Sequence, residues 1–139
     1  MVDALGEIDR VLAPGGTLVD ARPDSRVPAY VERRTSRGFQ RFGIVNTSRL
    51  ELTNDRASDR AIARVVGDGL FRRGRRGRFW HRVEFNSLPE VREYLRDHQR
   101  FVHSAEWVVD SAMRRRHSND EFAIRRAVRF ELLRSLGRP

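Results

Sequence analysis

The chain has 139 residues, of which 39% are hydrophobic and 34% charged, with a net charge of +9 and no cysteine. That length bounds it at one domain, and the missing cysteines exclude disulfides, thiolate metal sites and cysteine nucleophiles. No apolar run approaches the roughly 18 residues that span a bilayer, and no basic-then-apolar leader opens the chain. A cytoplasmic protein with no membrane partner is therefore expected.

Val2, Leu5, Ile8 and Leu12 recur at helical spacing and predict a helix over 2–13. Pro14 ends it, because proline disfavours the α conformation at the preceding Ala13. Gly15 and Gly16 permit a tight turn, and Thr17-Leu18-Val19 predicts a short buried strand over 16–21. Strand-like stretches near 28–34 and 39–46 flank Thr35-Ser36-Arg37-Gly38, a hairpin signal. Thr53, Asn54 or Asp55 is placed to cap a helix whose apolar face is Ala57, Ala61, Ile62, Val65, Val66 and Leu70.

A strand near 76–86 follows, with Phe79, Val83 and Phe85 on its buried side. Ser87-Leu88-Pro89-Glu90 reads as a capping box with proline in the first turn, and opens a helix carrying Val91, Tyr94 and Leu95. Ser104 is placed to cap a further helix bearing Val108, Val109, Ala112 and Met113. Phe122, Ile124, Val128, Phe130 and Leu132 alternate with more polar residues and predict a last strand over 121–133. There is no internal repeat and no low-complexity linker.

The stretch Glu7–Pro23, EIDRVLAPGGTLVDARP, resembles the helix–PGG–strand segment of class I S-adenosylmethionine-dependent methyltransferases. The resemblance implies an α/β fold with a partial Rossmann-like sheet packed by helices. Residues 16–21 then match the family's fifth strand, 76–86 the sixth and 121–133 the seventh. In the family that last strand runs antiparallel and is inserted between its neighbours. Residues 24–50 are an inserted hairpin by this reading, and 1–139 a single truncated domain. Only the first 20 residues or so carry a motif; the rest is element order. In the family this motif falls well past the middle of the domain, whereas here it opens the chain. The cofactor-binding half is thus expected in an upstream stretch or a separate polypeptide, or to be lost from a silent remnant.

No glycine-rich turn between a strand and a helix supplies a cofactor cradle. Gly67-Asp68-Gly69 follows a helical run and reads as a helix C-terminus. The chain alone therefore offers no cofactor and no catalytic residue; S-adenosylmethionine would bind only with the missing half. Asp20 and Arg22 lie at the carboxyl end of a strand, where open α/β sheets place ligands, and are the substrate-side candidates; a local salt bridge is the plainer reading. His81, His98, His103 and His117 show no metal spacing.

All 28 basic residues are arginine. Arginine forks phosphate and stacks on bases, so nucleic acid would account for this; an arginine-favouring codon bias would too. Arg72, Arg73, Arg75, Arg76 and Arg78, spaced by Gly74 and Gly77, lead into Trp80. This pattern resembles single-strand binders in which arginine tracks phosphate and rings stack on bases; a solvated turn entering a strand whose aromatics point to the core is the plainer reading. Arg114-Arg115-Arg116 suits a helix C-terminus. The expectation is a methyltransferase-like carboxyl-terminal half, inactive alone, with non-specific RNA or DNA binding as the alternative. Its open strand edge predicts a homodimer or pairing with the missing half.

Overall fold

The computed structural model describes residues 2–98 and 102–137, excepting the side chains at 2 and 102–104. The elements are α1 (Val2–Val11), β1 (Thr17–Pro23), β2 (Ala29–Thr35), β3 (Gly38–Thr47), α2 (Arg49–Gly67), β4 (Phe71–Phe85), α3 (Leu88–Asp97), β5 (Val102–Trp107), α4 (Ser111–Arg116) and β6 (Phe122–Ser135). The six strands form one sheet in the order β1-β6-β2-β3-β5, with β4 also paired to β6. Its registered pairs are antiparallel. The chain is thus α/β with a mostly antiparallel sheet, whereas a Rossmann-like sheet sets parallel strands side by side. Short connections are one cause: the two-residue loop between β2 and β3 can join only antiparallel neighbours.

The chain divides into two compact units. The first comprises the residues up to Pro23, Thr53–Phe79, and the residues from Val128 on; the second comprises Asp24–Leu52 and Trp80–Ala127.

In the first unit, Gly15 takes φ +75° and Gly16 N–H bonds to the Ala13 carbonyl at 2.7 Å. A Cβ on Gly16 would sit 2.8 Å from that same oxygen, so the turn after α1 needs glycine twice. β1 is not buried throughout; it alternates, with Leu18 inward and Val19 56% exposed. One edge of β1 pairs with β6 from Thr17↔Arg134 to Pro23↔Val128. β4 lies against β6 too, with Gly74 beside Leu132 and Gly77 beside Phe130. The numbers run in opposite senses, so β6 is antiparallel to β4 as it is to β1. The core joins Leu5, Ala61, Ile62, Val65, Phe71 and Leu133. Leu5 is buried, while Ile8 and Leu12 are partly buried against this core.

Bonds from Ser135 N–H to the Gly16 carbonyl and from Asp24 N–H to the Ala127 carbonyl set the phase of the β1–β6 ladder. By alternation, Leu18, Asp20 and Arg22 bond inward to β6. The backbone groups of Thr17, Val19 and Ala21 then point to the outer edge, as does the nitrogen of Pro23, which has no hydrogen to give.

The second unit packs α3 and α4 over β2, β3 and β5. Its core contains Val31, Phe42, Val45, Leu88, Val91, Leu95, Phe122 and Ile124. Ser87 caps α3, its side chain accepting from Glu90 N–H, while Glu90 accepts from Asn86 N–H.

Three expected boundaries move. α2 starts at Arg49, with Ser48 accepting from Glu51 N–H, so Thr53, Asn54 and Asp55 are not its cap. β4 begins at Phe71, so the arginine–glycine run is strand. Ser104 caps no helix: it lies in β5, and the short helix α4 begins after Asp110, which accepts from Met113 N–H at 2.7 Å. Exposure alternates from Ala105 to Asp110, so this stretch has the period of a strand.

Candidate functional site

Asp20 and Arg22 share one face of β1, two residues apart. Arg22 Nε donates to Asp20 at 3.0 Å, one terminal nitrogen to Asp55 at 3.1 Å and the other to Asp59 at 2.9 Å. Asp55 and Asp59 stand one turn apart on α2. Arg129 on β6 donates to Asp55 and, at 2.8 Å, to Asp59. Two guanidiniums and three carboxylates thus tie β1, α2 and β6 together. Burial opposes ionisation of Asp59, but hydrogen bonds from Arg129 and Arg22 outweigh it and hold its pKa below the usual range. Burial likewise opposes the charge on Arg129, and the bonds to Asp55 and Asp59 raise its pKa overall. The substrate-side candidates are therefore brought together, with their polar atoms committed to one another and to α2.

β4 carries Arg72, Arg73, Arg75, Arg76 and Arg78 in the first unit, all exposed. Arg73 bonds Glu131 at 2.6 Å. Among the described residues, Arg72, Arg75 and Arg76 have no ion pair. The glycines between them are packing positions: a Cβ on Gly77 would lie 2.8 Å from the Phe130 ring, and one on Gly74 would lie 3.3 Å from the Leu132 carbonyl. Phe79 was expected to be buried but is 48% exposed, with its ring 6.4 Å from Phe130. The position is an edge strand with nothing beyond it among the described residues.

Trp80 belongs to the second unit and is 42% exposed. Its ring is already engaged: Tyr30 lies 6.0 Å away and the Arg125 guanidinium sits 4.4 Å from its centre. The stack continues across that unit's sheet. Arg41 lies 3.9 Å over Tyr30 and Arg82 lies 4.4 Å over Phe39. Glu32, buried, accepts from Arg82 at 3.4 Å and forms an ion pair with Arg125 at 3.0 Å. Tyr30 and Glu32 lie two residues apart on β2, but their partners come from β3, β4 and β6. No local signal marks this ladder.

The histidines are scattered. His81 is exposed on β4, His98 stacks on Tyr94 at 4.0 Å, and the His103 side chain lies outside the described residues. His117 Nδ1 lies 2.8 Å from Asp120, which also accepts from Arg33 at 2.8 Å. Partial burial works against the Asp120 charge, but His117 and Arg33 outweigh it and lower its pKa. Among the described residues no group of His, Cys, Asp and Glu could hold a metal.

Gly67-Asp68-Gly69 closes α2. Gly69 takes φ +75° and donates to the Val66 carbonyl, and Leu70 N–H bonds the Val65 carbonyl. This paired arrangement satisfies the last helical carbonyls. Its amides are spent there, so this glycine pair does not fit S-adenosylmethionine. Comparison with protein-family models, with curated protein sequences and with solved structures returned no match to this chain.

Proposed function

We propose that this chain is the substrate-side, carboxyl-terminal part of a class I methyltransferase-like fold, inactive by itself. One observation carries the reading. In the first unit a helix–PGG–strand is followed by a crossover helix and two strands, and the last strand, β6, runs antiparallel between β1 and β4. That is the order the resemblance implies for strands five, seven and six. The outer edge of β1, unpaired among the described residues, is where the cofactor-binding half would continue the sheet. The residues present do not fit the cofactor, so no catalytic step is assigned to them.

The test is co-expression with the polypeptide encoded directly upstream, followed by titration of the purified complex with S-adenosylmethionine. Saturable one-to-one binding by the complex, and none by this chain alone, is expected. If the upstream product neither associates nor brings cofactor binding, the reading fails.

A second reading is favoured by β4. Its exposed arginines, three of them without an ion pair among the described residues, suit non-specific contact with RNA or DNA phosphates. It is compatible with the first reading, because it concerns the opposite edge of the strand trio.

A further inference from the structure

The second unit holds a cleft outside every expected site. Between α3 and α4 lies an open cavity of about 380 Å³, whose polar lining is Arg92, Arg114, Arg115, Ser111 and Ser118. No carboxylate lines it. Among the described residues none of these three arginines has an ion pair, whereas Arg22, Arg34, Arg73, Arg82, Arg125 and Arg129 all face Asp or Glu. Three like charges facing one cleft repel each other, and a bound anion removes that cost.

Two of the cations are held in place before any ligand arrives. The guanidiniums of Arg92 and Arg114 each lie 5.6 Å from the centre of the Trp107 ring. Arg114 also donates to the Val109 carbonyl at 2.8 Å. Such preorganisation lowers the ordering cost of binding. Guanidinium forks match the oxygen geometry of phosphate, and the Ser111 and Ser118 hydroxyls add donors. Leu88 and Pro89 give the cleft an apolar wall, and its volume is that of a small-molecule site. Three cations complement a dianion better than a monoanionic diester. We propose that the α3–α4 cleft binds the terminal phosphate of a small phosphomonoester. This rests on neither functional reading above.

The probes are inorganic phosphate, AMP and adenosine, titrated calorimetrically against the full chain at about 0.15 M salt, where exposed charges are screened. Saturable one-to-one binding of AMP, displaced by phosphate and absent for adenosine, is expected. Arg92→Ala and Arg115→Ala should each weaken AMP by about tenfold or more, with circular dichroism unchanged. In Trp80→Phe, Trp107 is the sole tryptophan, and its emission should shift as AMP binds. Failure of both AMP and phosphate to bind overturns the proposal, as does equal binding of adenosine. Unchanged AMP affinity in the folded alanine variants overturns it too. So does a 5′-hydroxyl oligonucleotide that displaces AMP as readily as phosphate does, since the source would then be a diester backbone.

Discussion

Gly77 has to be glycine because Phe130 leaves a side chain no room: its Cβ would meet two ring carbons at 2.8 Å. The arginine–glycine run was legible as a motif, but the reason for its spacing was not, since Phe130 is remote in sequence. Gly77→Ala should destabilise the chain by about 1–3 kcal/mol through overpacking. Much of that loss should be relieved in a Phe130→Leu background, as read by denaturant unfolding. An additive double mutant would remove the contact from the account. Ser135 offers a second check. Its buried hydroxyl donates to the buried Asp9 carboxylate at 2.7 Å and accepts from Gly137 N–H at 3.1 Å. Ser135→Ala strands both partners and should cost about 1–3 kcal/mol, with Ser135→Thr losing less if the bonds are what matters.

Most elements could be read from local pattern; those that moved had competing signals. Ser48-Arg49-Leu50-Glu51 is itself a cap followed three residues later by glutamate, but Leu50 is 40% exposed, so its apolar character points away from the true helix face. Asp55, freed from capping, joins Asp59, Arg22 and Arg129 instead. That cluster has a predictable pH signature. Asp59 has a folded pKa below its unfolded value of about 3.9. Its stabilisation is therefore present above that value and disappears as pH falls through the lower, folded pKa. Thermal midpoints should be level above about pH 5 and fall below about pH 4. Asp59→Asn should be less stable at neutral pH and show a shallower acid fall. Identical profiles for the two proteins would exclude Asp59 as a contributor. The edge of β1 belongs to this scale as well. Val19→Pro removes an outward N–H and spares the β6 ladder. It should keep the fold while abolishing any self-association or pairing seen by light scattering. An unfolded variant would show that Val19 N–H bonds inward, contrary to the ladder phase.

At the scale of the whole molecule, charge was legible from composition alone, whereas the way it is spent was not. Many arginines are neutralised by carboxylates that approach from distant segments, such as Glu131 for Arg73 and Glu32 for Arg125. Affinity for RNA or DNA, measured by fluorescence anisotropy, should still collapse with salt. A drop of about 10³-fold between roughly 50 and 200 mM is expected if six phosphates are contacted. Arg75→Ala with Arg76→Ala should lower the salt slope by about two. A flat salt dependence or a strong preference for one sequence would point to a different interface. The division into two units was not visible either, because β4 and β6 pass through both without any break in composition.

Pro23 sets a limit on what the β1 edge can accept. An incoming strand finds outward donors at Thr17, Val19 and Ala21, and at the next outward position it meets a ring with no hydrogen. A partner can therefore add only a short strand. Each added copy then gains only a short ladder on β1, which weakens edge-to-edge stacking, so the proline acts as a gatekeeper against aggregation.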